Sequence, residues 1–398
     1  MNLFDINSYN FELEESKIAQ IPANPAHNSK MLVFDFGDNS INNMTFKDLP
    51  EIIEKERILF FNDSKVLKSR IKLKNIKTIT RAGKEKFVDG EIFFLKEINS
   101  ATFEAMVNPG EKMKPKTKLL IGKFEIIVKE ITYSGRILEI TNGDWQDFLN
   151  EFGQMPLPPY IEYSQDKEKY YQPIFAKNKG SVASPTASLH FTKVILDKLK
   201  AKGIESSFLT LHIGLGTFKP IYVDNIKEYE IHEERIILDE NIFEKIYELK
   251  KQNKKIVAVG TTSTRILESL PYLWRELKGD LELICPSYST GLGIHEAHEV
   301  SVSDFWNSFK LEENNIILNL QKENGKITFD TKLFIFPGFE FKIIDELITN
   351  FHLPKSTLLV LVSTFLGYKN TKKIYNHALV NNYRFFSFGD VIYLKNKK

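Results

Sequence analysis

Cysteine is all but missing: Cys285 is the only one in 398 residues. A lone thiol excludes an internal disulfide, a cysteine zinc site and a cysteine-ligated iron–sulfur cluster. Long apolar runs are missing too. The longest, Ser356 to Leu366, has 11 residues, where a membrane span needs about 20, so it reads as a buried helix and no membrane partner is expected. Met1-Asn-Leu-Phe-Asp-Ile lacks the basic flank and apolar core of a signal peptide, which with the scarce cysteine predicts a cytoplasmic location. Gly214-Leu-Gly216 is followed by Thr217-Phe-Lys-Pro220, which cannot open a helix, so there is no dinucleotide fingerprint. The Gly-x-Lys-Ser/Thr of a P-loop is also absent. His295-Glu-Ala-His298 has one residue too few between Glu and the second His for a zinc protease. With no third ligand in view, no metal is expected.

A chain of this length holds two or three domains, and its 42% hydrophobic and 27% charged residues are those of a soluble globular protein. Net charge is only +2, but it is unevenly spread. From Ser64 to Lys123 there are 15 Lys and Arg against 6 Asp and Glu. Such an excess on an otherwise neutral chain marks either a polyanion-binding face or a lysine-rich solvated surface.

The basic segment coincides with a change of pattern. Strand-like runs at 90–95, 102–107, 123–128 and 136–140 are separated by Asn-Pro-Gly, Ile-Gly and Ser-Gly turns. Evenly spaced strands without helices predict a small barrel or sandwich. Beyond Pro156 the chain alternates instead. Helices are predicted at 193–202, 240–253, 261–270, 342–350, 356–366 and 370–381, and strands at 207–213, 255–260, 333–336 and 384–388. Alternation of this kind predicts an α/β domain with a largely parallel sheet. The expected organisation is an α/β domain begun by residues 1–62, interrupted by a basic β-barrel-like insert at 63–153, and resumed at 154–398. Residues 271–330 fit poorly and read as an atypical insertion with some structure of its own.

Three histidine-bearing segments stand out: 181–192, 209–218 and 350–357. They consist mostly of small, hydroxyl-bearing and apolar residues, broken by Pro, Gly or Ser. Backbone so thinly covered suits a pocket where a ligand approaches the main chain; the bland reading is tight turns, each with a hydrogen-bonded histidine. His190, His212, His232 and His352 are candidate acid–base groups, since imidazole titrates near neutrality. Asp63, Glu234 and Arg265 complete a charged set, with arginine suited to a carboxylate. The junction Gly260-Thr-Thr-Ser-Thr-Arg265 is a strand end feeding a helix N-terminus, which suits an anionic group or simple capping by Thr262 or Ser263. The residues alone imply a soluble α/β enzyme acting on a nucleotide-like ligand, with a nucleic-acid platform as an open option.

Taken together these segments resemble the S-adenosylmethionine:tRNA ribosyltransferase-isomerases of queuosine biosynthesis. The resemblance rests on Phe61-Asn62-Asp63, Pro-Leu-Pro-Pro-Tyr-Ile at 156–161, Tyr171 to Ala176 and Pro-Thr-Ala-x-Leu-His-Phe-Thr at 185–192. It continues through 210–218, Val-Gly-Thr-Thr-Ser at 259–263, 347–359 and Tyr383 to Asp390. The chain departs from the family pattern at Ser184 and Ser188, where Ala and Gly are usual, at Asp330-Thr331-Lys332 in place of Trp-Thr-Asp, and in a longer 271–330 segment.

The resemblance implies transfer and isomerisation of the ribosyl part of S-adenosylmethionine onto 7-aminomethyl-7-deazaguanine at the tRNA wobble position, giving epoxyqueuosine, adenine and methionine. S-adenosylmethionine is then a consumed co-substrate and no cofactor is needed. The other expected partner is tRNA with a GUN anticodon, and the chain is expected to act as a monomer. Such a reaction needs a base for the C5′ proton and an acid for departing adenine. His190 and His352 are the expected proton carriers, with His212 and Asp63 orienting groups. Thr261, Thr262 and Arg265 are expected to hold the methionine carboxylate, and Thr186, Gly214, Gly216, Thr217, His232, Glu234 and Asn350 to line the site. Lys65, Lys68, Arg70 and Lys72 are the expected phosphate contacts. The competing readings are a non-catalytic tRNA-binding relative and another S-adenosylmethionine-dependent RNA modification, such as a methyltransferase.

Overall fold

The structure, a computed structural model, describes residues 2–214, 216, 221–277, 301–311 and 315–397. The chain divides into two compact units: residues 1–64, 172–178 and 185–398 form the main unit, and residues 65–171 with 179–184 form the second.

In chain order the strands are β1 (Lys30–Asp35), β2 (Ser40–Thr45), β3 (Arg57–Asn62), β4 (Ser64–Val66), β5 (Arg70–Ile79), β6 (Glu85–Glu97), β7 (Thr102–Asn108), β8 (Lys118–Ile121) and β9 (Phe124–Ile131). They continue with β10 (Arg136–Ile140), β11 (Asn178–Ser181), β12 (Glu205–His212), β13 (Glu234–Asp239), β14 (Lys255–Val259), β15 (Ile317–Glu323), β16 (Lys326–Thr331), β17 (Glu346–Asn350) and β18 (Val391–Lys395).

The main unit is built on a ten-stranded sheet in the order β15-β16-β13-β12-β3-β14-β17-β18-β1-β2. Its centre, β12-β3-β14-β17, is parallel, as is the β18–β1 pair. The remaining pairs are antiparallel. The expected largely parallel sheet is therefore a mixed one with a parallel centre. Tight hairpins such as β1–β2 and β15–β16 can join only antiparallel strands. Burial follows the topology. All six residues of β3 and all five of β17 are buried, as suits strands with neighbours on both edges and cover on both faces. Phe46, Phe61 and Phe191 meet edge to face, with centroids 4.8 Å apart in each contact Phe191 makes.

Several local expectations fail for identifiable reasons. Residues 342–350 are not a helix. The amides of Lys342, Ile343 and Ile344 donate to the buried Glu268 carboxylate at 2.8–3.0 Å, and β17 follows. Residues 333–336 form no strand, because the Leu333 carbonyl accepts from Arg265 Nε at 3.1 Å rather than from a neighbouring strand. The last strand is β18, not 384–388. There the Arg384 amide donates to Asp390 at 2.7 Å, and Phe386 takes φ 70°. Within 271–330, β15 and β16 extend the main sheet beyond β13 rather than forming a separate piece. The His295–His298 motif and Cys285 lie outside the described residues.

The second unit is a closed six-stranded barrel, β10-β7-β6-β5-β8-β9. Closure removes the exposed strand edges an open sheet this small would leave. Ile71, Ile92, Phe94, Phe103, Ile126 and Leu138 fill it, and the helix Trp145–Phe152 packs on this core, with Trp145 stacked 4.7 Å from Phe94. The unit continues past the expected limit at 153. Gln154 exchanges backbone hydrogen bonds with Arg70 at 2.7 and 3.2 Å, and Glu168 accepts from Met155 N at 2.9 Å and pairs with Lys68 at 3.4 Å.

Candidate active site

The parallel centre points the carboxyl ends of β12, β3, β14 and β17 at one edge of the sheet. That edge is where open α/β sheets place their ligands. His212 ends β12, Asn62 ends β3 with Asp63 next, Gly260 follows β14 and Asn350 ends β17. Topology thus gathers residues up to about 290 positions apart in sequence.

Asn62 and Asp63 are held differently. The Asn62 amide donates to Leu211 O at 2.9 Å and accepts from Leu211 N at 3.1 Å, continuing the ladder between β3 and β12 through a side chain. Asp63 accepts from Thr210 Oγ1 at 2.7 Å and from Asn178 Nδ2 at 3.1 Å on each oxygen. Thr210 lies in the 209–218 segment singled out from the sequence, though without an assigned role; Asn178 was not anticipated, and nothing in its spacing marks it.

The three histidines of the edge are all neutral, but they are not equivalent. His190 is buried with both ring nitrogens engaged, Nδ1 with Ser29 Oγ at 2.9 Å and Nε2 with Asn350 Nδ2 at 3.1 Å. An amide can only donate from its nitrogen, so Nε2 accepts and Nδ1 carries the proton. Thr186 Oγ1 donates to Asn350 Oδ1 at 2.9 Å, completing a chain Thr186–Asn350–His190–Ser29. Burial pushes the His190 pKa down to about 3, with the Ala26 backbone opposing and the Arg384 charge adding to the fall. His352 bonds Thr349 through Nε2 at 2.9 Å, and burial pushes it to about 3 as well. In His212, Nδ1 is buried and has no hydrogen-bond partner. Burial lowers it to about 4; the Arg235 charge lowers it further and Asp63 raises it.

The helix Gly260–Glu276 starts directly from β14, with Gly260 at φ +88°, a conformation glycine adopts readily. No side chain caps its N-terminus. Thr262 Oγ1 and Ser263 Oγ are buried without partners, as is Ser188 Oγ in the adjoining Thr186–His190 turn. Buried hydroxyls left unpaired are uncommon in folded proteins. Ser188 is one of the departures from the family pattern, and Thr262 and Ser263 lie in the strand-to-helix junction expected either to meet an anion or to be capped; they do not cap it.

A recess of about 510 Å³, counted to its open mouth, lies against this helix start. Thr261, Thr262, Arg265, Glu234, His232 and Gly216 supply its polar wall, and Leu333, Phe334 and Leu361 part of its apolar one. A Cβ on Gly216 would sit 2.0 Å from His232 Cδ2, so only glycine fits without moving the ring. Arg265 is not free within the recess. Both Arg265 and Glu234 are buried and paired, and the guanidinium also donates to the carbonyls of Leu333 at 3.1 Å and Thr331 at 3.4 Å. Glu234 accepts in turn from Gly214 N at 3.4 Å. Thr217 lies outside the described residues.

The four expected phosphate contacts belong to the barrel unit. Lys68 pairs with Glu168 at 3.4 Å and Arg70 with Glu91 at 2.9 Å. Lys72 is exposed and lies 5.1 Å from the Tyr163 ring centre, and Lys65 is half-buried. Among the described residues no three His, Cys, Asp or Glu side chains gather as a metal-binding group. Nor is any described helix long and apolar enough to cross a membrane.

The chain matches the family described as Queuosine biosynthesis protein over residues 6–305 and 307–394, which includes nearly all of the 271–330 stretch that carried no recognisable motif. It is 36% identical to the S-adenosylmethionine:tRNA ribosyltransferase-isomerase of Halothermothrix orenii over 97% of this chain and 98% of that one. Identity to the protein of the same name from Thermosipho africanus is also 36%, over 98% and 99%. A crystal structure of S-adenosylmethionine tRNA ribosyltransferase from Thermotoga maritima is 26% identical and covers 97% of this chain and 99% of that chain, with a TM-score of 0.48. The chain therefore belongs to the queuosine biosynthesis protein family, whose members are enzymes named S-adenosylmethionine:tRNA ribosyltransferase-isomerases.

Proposed function

We propose that this enzyme transfers and isomerises the ribosyl moiety of S-adenosylmethionine onto 7-aminomethyl-7-deazaguanine at the wobble position of a tRNA with a GUN anticodon. Epoxyqueuosine-tRNA, adenine and methionine are the products, and S-adenosylmethionine is consumed, with no separate cofactor or metal. Family membership over nearly the whole chain supports the reaction class. The observation that carries the placement is the group of buried, unpartnered polar atoms at the carboxyl edge of the main sheet: His212 Nδ1, Ser188 Oγ, Thr262 Oγ1 and Ser263 Oγ. Polar atoms shut away from water without partners are costly unless a ligand satisfies them.

In this reading the uncapped helix start and the hydroxyls of Thr262 and Ser263 receive the methionine carboxylate. Arg265, neutralised by Glu234, shapes the recess and adds little net charge. The sulfonium acidifies the C5′ protons, so the enzyme supplies a base for one of them and an acid for departing adenine. His212 is the better proton carrier, because its Nδ1 is neutral and uncommitted. His190, bonded at both nitrogens, holds the Asn350 amide in one orientation, and His352 keeps one bond to Thr349. Burial of the edge excludes water from the ylide-like intermediate.

The test incubates the protein with S-adenosylmethionine and tRNA bearing the aminomethyl deazaguanine, and follows adenine by chromatography. Adenine released only with the modified tRNA is expected. S-adenosylhomocysteine in its place would make the protein a methyltransferase. Bound tRNA with no turnover would make it a non-catalytic relative.

A further inference from the structure

The barrel unit carries an exposed aromatic, Tyr133. Tyr133 sits in the turn between β9 and β10 and is fully exposed (107%), with Ile131 at 59% and Met106 at 42% also open to water. This turn is braced. The buried Glu104 carboxylate accepts from Thr132 Oγ1 at 2.5 Å and Ser134 Oγ at 2.8 Å, and Gly135 N donates to Thr132 Oγ1 at 2.9 Å. A buried acid that orders a turn whose central ring touches only solvent is a costly way to build a surface with no partner.

Its surroundings are basic. Arg136 donates to the carbonyls of Gly135 at 2.8 Å, Met113 at 3.2 Å and Gly110 at 3.3 Å, which ties the turn to the loop carrying Lys112, Lys114 and Lys116. All three lysines are exposed, and none of them, nor Arg136, pairs with a carboxylate among the described residues. Strand register continues the surface the other way: Met106 pairs with Phe93, and Phe93 with Arg70. These three alternate with the inward-facing Ile71, Ile92 and Ala105, so they point outward.

We propose that this strip, from Phe93 across Met106 to the Tyr133 turn and its lysine loop, is an RNA-binding surface. In it Tyr133 stacks on a base of the tRNA substrate while the lysines meet phosphates. Unpaired cations beside a presented aromatic ring are the combination that holds unpaired nucleotides without reading their sequence. The inference rests on the proposed tRNA substrate, and it moves the main contact away from Lys68 and Arg70, which carboxylates already engage.

The test measures binding of an unmodified GUN-anticodon tRNA transcript to the full-length protein by fluorescence anisotropy. Tyr133→Ala is expected to weaken binding roughly 5- to 150-fold, the range for loss of one stacked base, and Tyr133→Phe to stay within about twofold of wild type, since the ring is kept. Lys112→Gln with Lys114→Gln should reduce the salt slope by about two. Tyr133→Ala binding like wild type would overturn the proposal, as would a Tyr133→Ala effect on self-association alone. Wild type that fails to bind the transcript also overturns it. Wild type that binds the transcript, is weakened by Tyr133→Ala, but releases no adenine would leave this surface standing and remove the proposed reaction.

Discussion

Arg265 and Glu234 provide a direct check on how the recess is held together. Arg265→Met would strip the buried Glu234 carboxylate of the guanidinium it pairs with. Removing one partner of a buried ion pair costs about 3–5 kcal/mol, whereas replacing both with apolar groups is often neutral. Each single variant should therefore lose about 3–5 kcal/mol, and Arg265→Met with Glu234→Met should recover most of it, a coupling that a double-mutant cycle isolates. Urea unfolding followed by Trp274 and Trp306, both buried in the main unit, reports the change. Trp145→Phe silences the barrel without losing a hydrogen bond, since Trp145 Nε1 has no partner. With a slope near 3 kcal/mol per molar urea, the midpoint should fall by roughly 1 M or more. A single variant within about 1 kcal/mol of wild type would refute the reasoning. An arginine free to clamp a ligand would instead lose substrate affinity with little effect on unfolding.

Other outcomes follow from the same geometry. Folded His190, His212 and His352 titrate near 3, 4 and 3, below the unfolded value near 6.5, so the unfolded chain binds the extra protons. Their contribution is fully present above pH 6.5 and declines as pH falls towards 4, by about 1.4 kcal/mol per unit for each; a urea midpoint that stays flat from pH 7 to 5.5 would contradict it. His212→Gln should slow adenine release roughly 100-fold or more while tRNA affinity holds, and a rate within twofold of wild type would return the proton-carrying role to His190 or His352. Gly260→Ala has room for its methyl, 3.5 Å from Ala187 Cβ, but must adopt φ +88°. It should cost about 1–2 kcal/mol in unfolding experiments, and no measurable change would mean that the strand-to-helix pivot relaxes.

What the sequence made legible follows from local signals. The apolar run Ile58 to Phe61 of β3, the amphipathic helix Lys193–Ala201 with its stop at Gly203, and the turn-punctuated barrel strands all declare themselves by periodicity and punctuation. The misread segments are those where a distant side chain takes the backbone's hydrogen bonds: Glu268 at 342–344, Arg265 at Leu333 and Asp390 at Arg384. No window of neighbours contains that information. The same limit applied at the site. Histidines within unusual segments could be picked out, yet only the fold distinguishes His190, bonded at both nitrogens, from His212, whose Nδ1 is left open.

The most direct test of the account is to supply S-adenosylmethionine labelled in its ribose together with aminomethyl-deazaguanine tRNA. The account predicts that the label enters the tRNA in step with an equal amount of free adenine. Label recovered in S-adenosylhomocysteine, or remaining in S-adenosylmethionine while tRNA is bound, would contradict it.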